Sequence, residues 1–406
     1  MTAARAIGPV SSGHGADEDS MKAAAAVCTD SDPVRGAAQA ARDVAADLAG
    51  EEADVALVFA GGAHLSSPCD TLAAIASELG AGALIGCGAG GVLGSGREYE
   101  SGTGIAIWAA SLGEDGAAEP FNATVSERDG AGVLEGIPEL SAGSGLILLS
   151  DPYTFPTGPV LDRIAQDTPW VPVLGGLASG RSPGGDGALL LGDEVCSEGA
   201  VGLHLRNVEM LPCVSQGAAP VGREMTVTAA EGNVIHELAG KPAVATIESV
   251  IGELSLTERA LVAGGLLIGI VIDGGKPEYE QGDFLVRGVV GVDSDQGSIQ
   301  VGATMSVGQV VRLHARDARS AEADLRRELS LCAAAAGEDS PAGALVFSCN
   351  GRGRQMFGPG DHDAAAVDEL LGGAPSAGFF AAGEIGPVGG RSLLHTFTAT
   401  VAVFPR

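Results

Sequence analysis

ALVFAGGAH (56–64) and, after a helical pattern near 70–79, ALIGCGAGGVLGSGR (83–97) decide how this chain folds. Each opens with an apolar run too short for a helix and too continuous for a half-exposed strand, as expected of a strand covered on both faces. The plan returns near the C-terminus as ALVFSCNGRG (344–353), a helical stretch near 363–371, and AGFFAAGEIGPVGGR (377–391). The two copies share ALVF and a G-x-x-G-x-x-G spacing, at Gly88, Gly91, Gly94 and at Gly383, Gly386, Gly389. Glycine at that spacing frees the backbone and uncovers its amides, which suits a turn pressed against a ligand or against another chain segment.

A further copy reads GLILLSDPYTF (145–155), a short helix near 160–166, VPVLGGLASGR (171–181), ALLLGDEV (188–195) and GAVGLHL (199–205). Strands GIAIWAASL (104–112) and HTFTATVAVF (395–404) close the first and last copies. The expected class is therefore α/β, two domains built from repeated strand–helix–strand units with glycine-rich loops and mixed sheets. Between the second and third copies, the pattern predicts helices over 232–251 and 255–263 and strands at 266–273, 283–292 and 309–316. Asp293 to Gly297 reads as a hairpin turn rather than a calcium loop, because strand patterns flank it. Residues 1–20 have no apolar periodicity and are expected to form a disordered leader. The aperiodic QGAAPVG (216–222) places a boundary after Gly217, giving domains 21–217 and 218–406.

The 52 acidic residues against 23 Lys plus Arg give a net charge of −29, which disfavours nucleic acid and membrane surfaces as partners. No apolar run approaches the ~20 residues of a spanning helix. Seven scattered cysteines without a C-x-x-C pair fit reduced thiols in a cytoplasm and no structural zinc. No metal or other cofactor is expected.

Several motifs fail on chemistry. Gly86-Cys-Gly88-Ala-Gly-Gly91 fits G-x-G-x-x-G, but a strand follows where a dinucleotide site requires a helix. Gly180-Arg-Ser182-Pro-Gly184 fits a nucleophile elbow, but Pro183 has no N–H to give an oxyanion hole. Cys349 ends a buried strand beside Arg352 and Arg354, whose charge would favour a thiolate. Asp363 suits an N-cap for the helix after it. Arg97, Arg181 and Arg391 each close a glycine series, and a guanidinium beside open amides suits a carboxylate.

The segments LIGCGAGGVLGSGRE, VPVLGGLASGRSPGGDGALLLGDEV, KPEYEQGDFLVRGVVGVD, ALVFSCNGRGRQMFG and GFFAAGEIGPVGGRSLLHTFTA, taken in order, resemble the FIST family, with its N-terminal and C-terminal FIST parts, from about Cys28 to Phe404. That resemblance implies a sensory role in signal transduction, with amino acids or related metabolites as ligands. It carries over Asn350, Gly351, Arg352 and Gly353 from SCNGRG, Glu384 and Gly386 from GEIGPVGGR, and Asp283, Phe284 and Arg287 from GDFLVRG. The chain departs from the family's usual residues at Ala218, Ala219, Gly288 and Ser392, so no ligand contact is assigned there.

The resulting expectation is a cytoplasmic small-molecule-binding protein. Arg352, Arg354 and Arg391 would hold a carboxylate, Glu384 or Asp283 an amino group, and Phe284 an apolar wall. Arg352, Arg391 and Glu384 should converge on one pocket at the ends of parallel strands. No kinase, cyclase or F-box fits outside 28–404, so a separate signalling protein would receive the signal. A cysteine-dependent enzyme using Cys349 and a scaffold for another protein are the alternatives, an enzyme being the less favoured reading.

Overall fold

A computed structural model describes residues 20–128 and 131–406. All but the last residue of the expected leader lies outside the described residues. The first unit comprises β1 (Lys22–Cys28), α1 (Pro33–Asp47), β2 (Ala53–Gly61), α2 (Pro68–Glu78), β3 (Ala81–Gly88), β4 (Val92–Gly94), β5 (Arg97–Tyr99) and β6 (Gly104–Ser111). The second comprises β7 (Ala117–Arg128), β8 (Ala131–Glu135), β9 (Ser144–Ser150), α3 (Thr157–Asp167), β10 (Val173–Leu177), β11 (Leu189–Leu191), β12 (Glu194–Cys196) and β13 (Ala200–Arg206). Local chemistry starts the elements as read: Asp32 accepts the Arg35 N–H at 3.0 Å and Pro33 occupies the first turn, fixing the start of α1. Ala37, Ala40, Ala41 and Val44 then face the sheet.

The third unit is interrupted. It starts with β14 (Leu211–Gln216), breaks for an inserted sheet, and resumes with α6 (Ala318–Ala336), β22 (Gly343–Cys349), α7 (Gly353–Phe357), α8 (His362–Leu370), β23 (Ser376–Ala381), β24 (Glu384–Val388), β25 (Arg391–His395) and β26 (Thr398–Phe404). The insert contains β15 (Ala218–Glu231), β16 (Val234–Leu238), β17 (Lys241–Pro242), α4 (Ala243–Glu253), α5 (Leu256–Ala263), β18 (Leu266–Val271), β19 (Phe284–Asp293), β20 (Ser298–Val301) and β21 (Val310–Arg316). The helix expected over 232–251 is thus corrected to a β-hairpin followed by α4. Gly232, Ala239 and Gly240 all take positive φ, which turns the chain where a helix would have continued. The turn at 293–297 joins β19 to β20 as expected.

The sheets reveal a cyclic arrangement. Their strand orders are β1-β6-β2-β3-β11-β12, β8-β7-β13-β9-β10-β24-β25 and β14-β26-β22-β23-β4-β5. Each unit keeps its parallel pair (β2/β3, β9/β10, β22/β23) and lends its hairpin to a neighbour. Hairpin β4–β5 joins the third unit's sheet, β11–β12 the first's and β24–β25 the second's. The units meet over an apolar core in which Phe59 stacks on Phe379 at 5.0 Å and meets Phe347 edge-on at 6.2 Å. Each such fully buried ring is worth ~1.5–3 kcal/mol.

The glycine loops close this ring on itself. The N–H of Gly88 donates to Ala188 O, that of Leu177 to Gly383 O and that of Phe380 to Gly91 O. One repeat-defining glycine lies earlier: a Cβ on Gly86, Gly175 or Gly378 would come within 2.2, 2.0 or 1.8 Å of the carbonyl oxygen of Val58, Leu148 or Val346 on the parallel partner strand. Strand pairing also corrects the frame of the repeat. Leu93 faces Gly378 and Ile385 faces Gly175, so Gly91 corresponds to Gly383 and Gly94 to Gly386, three residues from the alignment suggested by the letters. Close backbone packing, rather than a shared open cleft, is what these glycines serve.

Among the described residues, no helix is long and apolar enough to cross a membrane.

Candidate functional site

The new frame singles out Glu384. It opens its hairpin at the place held by Val92 in the first unit and Leu189 in the second, yet its side chain is fully buried. Oε2 accepts hydrogen bonds from the N–H of Thr398 at 3.1 Å and its hydroxyl at 2.7 Å. Oε1 has no hydrogen-bond partner among the described residues. Burial pushes the Glu384 pKa up to about 8, against the pull of those hydrogen bonds and of Arg352, so the carboxyl is mostly protonated at neutral pH.

Arg352 is the second buried charge. Its Nε and Nη2 bind Asp363 at 2.7 and 2.9 Å, both side chains being essentially inaccessible. Ser348 donates to the same carboxylate at 2.7 Å. Although burial works against it, this pairing with Arg352 holds the Asp363 carboxyl well below its ordinary range. Arg352 Nη1 is left without a partner among the described residues, and Gly217 leaves it room, since a Cβ there would stand 3.0 Å away.

Asp363 therefore does not cap α8, as the sequence suggested. Glu98, on the borrowed hairpin β4–β5, accepts the N–H groups of Asp363 and Ala364 at 2.6 and 3.0 Å and performs that role from another unit. Burial, and then the neighbouring Asp363, push Glu98 up to about 7.

Cys349 lies between the two charges. Its sulfur accepts from the N–H groups of Gly351 and Phe397 at 3.4 and 3.3 Å. Burial, reinforced by Glu384, pushes the thiol far above its ordinary value, so the thiolate expected from the nearby arginines does not form. The arginines are already committed to Asp363 and, for Arg354, to Glu100.

Phe397 roofs this group in a strained conformation, with φ of 64°. A Cβ on Gly351 would reach 2.8 Å from its ring, and Arg316 lies over that ring at 5.1 Å. From the inserted sheet, Arg287 donates to Leu394 O at 2.7 Å, and burial lowers its pKa to about 10 while Glu384 pulls it back up. Gln216 bridges the same seam: Nε2 donates to Phe284 O at 2.7 Å and Oε1 accepts from Gly282 N at 3.3 Å. Phe284 packs in one cluster with Phe397.

Of the residues nominated from sequence, Gly351, Arg352, Glu384, Phe284 and Arg287 thus gather at the seam between the third unit and the insert. Gly353 and Gly386 pack nearby, against the Glu100 carboxylate and beneath Val214 and Thr400. Asn350 is exposed. Asp283 pairs with Lys276 at 2.5 Å, and Arg354 projects toward solvent beside Glu100. The expected convergence of Arg352 and Arg391 is overturned: Arg391 is half-exposed and pairs with Asp162 of α3 at 3.1 Å, because its hairpin belongs to the second unit's sheet. Asp363, Thr398, Phe397, Gln216 and Glu98 were not anticipated here. Glu98 arrives only through the cyclic strand order, and the other four through contacts inside the third unit, neither of which sequence spacing shows.

A FIST N domain matches residues 54–241 and a FIST C domain matches 243–387. The chain belongs to the FIST family. An uncharacterized protein of Mycobacterium bovis is 40% identical over 385 residues, covering 95% of this chain and 99% of its own length. One from Mycobacterium tuberculosis is 39% identical, with 95% and 100% covered. In this FIST chain the N-terminal match ends in β17 and the C-terminal match begins at the start of α4, both inside the insert, so the seam site combines Glu98 and Gln216 from the first match with the charges of the second.

Proposed function

We propose that this FIST protein is a cytoplasmic sensor that binds a small amino acid or related carboxylate metabolite at the seam between the third unit and the inserted sheet. The observation that carries the reading is the coexistence of a buried, unpartnered guanidinium nitrogen on Arg352 and a buried, unpartnered carboxyl oxygen on Glu384. A buried polar atom without a partner costs ~1–3 kcal/mol, which a ligand offering one acceptor and one donor would recover. A carboxylate would answer Arg352, and an ammonium or amide N–H would answer Glu384. The guanidinium nitrogen calls for a carboxylate, and the Glu384 carboxyl, on giving up its proton, for an ammonium or amide N–H, which favours a zwitterion or an amide-bearing acid over a simple anion. Phe397 and Phe284 supply the apolar wall.

The insert suits signal output. It touches the site through Arg287, Gln216 and Phe284, so a ligand drawing on Arg352 and Glu384 would shift the insert relative to the third unit, for a separate signalling protein to read. The FIST family's sensory character agrees with this. A thermal-shift screen of amino acids and organic acids tests the binding: stabilisation should grow with ligand concentration and disappear in Glu384→Gln. Absence of any stabilising compound, or stabilisation indifferent to Glu384, would sink the reading.

A further inference from the structure

Two of the seven cysteines share one apolar layer between a helix and a strand. Cys213 is in β14, fully buried, and Cys332 is in α6, 8% exposed. Each thiol is near enough to shift the other's ionisation. Cys332 Sγ also lies 3.6 Å from Pro212 O, the carbonyl next to Cys213, so the helix places this sulfur directly over the strand. Both belong to one apolar cluster with Leu325, Leu329 and Val403.

Their place in the chain gives the pair its interest. β14 is the last strand before the insert and α6 the first helix after it, so Cys213 and Cys332 join the two elements by which the chain leaves and re-enters the third unit. Asp324 of α6 already ties these elements, accepting the Gln216 N–H at 2.8 Å. Gln216, three residues beyond Cys213, is the residue that holds Phe284 and Gly282 of the insert.

We propose that Cys213 and Cys332 form a reversible disulfide on exposure to a hydroperoxide, stapling β14 to α6, the two elements that flank the inserted sheet in the chain. A hydroperoxide is small enough for a sulfur with so little exposure. The Cys332 thiolate attacks the peroxide oxygen, the O–O bond breaks, and Cys332 becomes a sulfenic acid as hydroxide leaves and is protonated to water. Cys213 then attacks that sulfur, expelling a second water. In sum, two thiols and one hydrogen peroxide give one disulfide and two waters. Exposure supports this order: Cys332 is 8% exposed, whereas Cys213 is inaccessible and can act only on a sulfur already beside it.

The test is to treat the full chain with hydrogen peroxide, alkylate the remaining thiols, digest without reductant and map the peptides by mass. The expected principal product is the Cys213–Cys332 cross-linked peptide, two hydrogens lighter than its reduced parts, reversed by dithiothreitol and lost in Cys332→Ser. Hydrogen exchange across α6 should slow in the oxidised protein. Sulfinic acid at Cys332 with Cys213 reduced, a different principal disulfide, or both thiols intact at doses that oxidise the exposed Cys69 would overturn the proposal. Mapping the native sequence decides the matter even if a serine variant fails to fold.

Discussion

Glu384 and Val92 occupy corresponding places in two borrowed hairpins, each opposite the residue after the glycine that approaches its parallel neighbour. Where the first unit has an apolar side chain completing the core, the third has a buried acid with one free oxygen. The fold tolerates Val or Leu at this position, so the carboxyl is not required by the packing of the unit.

This acid should mark the pH dependence of stability. Its folded pKa of about 8 lies above its ordinary 4.5, so the folded state holds a proton that the unfolded chain releases in between. Stability from this group is full below 4.5 and falls as pH rises toward about 8, where the folded protein must bury a charge. Denaturant unfolding should show Glu384→Gln losing most of that decline and exceeding the native protein above pH 8. Parallel pH profiles for the two proteins would contradict the assignment.

Arg352 and Asp363 should be strongly coupled. Arg352→Ala leaves a buried carboxylate unpaired and is expected to cost ~3–5 kcal/mol. Removing both charges, as Arg352→Met with Asp363→Leu, should cost less than Arg352→Ala alone, giving a double-mutant cycle with a large interaction energy. Simple additivity in urea unfolding would mean that the pair is not a unit.

Glu98 should behave as a cap delivered across units. Glu98→Ala is expected to lose ~1 kcal/mol, as helix caps do. Glu98→Gln keeps the accepting oxygen while removing repulsion with Asp363, so it should match or exceed the native protein above pH 7, the region of its raised pKa. Thermal melting at two pH values separates these outcomes.

Gly378→Ala should be severely destabilising, because the added carbon would lie 1.8 Å from Val346 O. Overpacking of this kind costs ~1–3 kcal/mol or more. Gly288→Ala, in strand β19 where a Cβ meets nothing within 4 Å, serves as the control for losing a glycine without crowding. Equal losses at both sites would show that crowding against Val346 is not what Gly378 avoids.

Arg391→Ala should leave ligand-induced stabilisation unchanged, because Arg391 is exposed and paired with Asp162. Loss of binding in this variant would return it to the site from which the fold separates it.

The letters alone determined most of the elements and the existence of a repeat, though not the hairpin at 234–242 or the register of the glycines. Continuous apolar runs fix strands covered on both faces, as in β2, β9 and β22, and the repeated ALVF with its glycines announces related units. The family resemblance pointed to SCNGRG, GEIGPVGGR and GDFLVRG, whose Arg352, Glu384, Phe284 and Arg287 meet at the seam. Hydrophobic period and turn chemistry are local properties, so sequence carries them.

What only the tertiary structure decided is which unit each hairpin serves. Hairpin exchange leaves no local trace, because β24 pairs equally well as an edge in its own sheet or in a neighbour's; the choice lies in long-range backbone hydrogen bonds. That choice sends Arg391 to Asp162, brings Glu98 to α8, and sets Glu384 over Cys349 and Arg352. Burial likewise reversed the expectation for Cys349, since desolvation depends on the neighbours that cover a group and outweighs the adjacent charges that spacing had suggested.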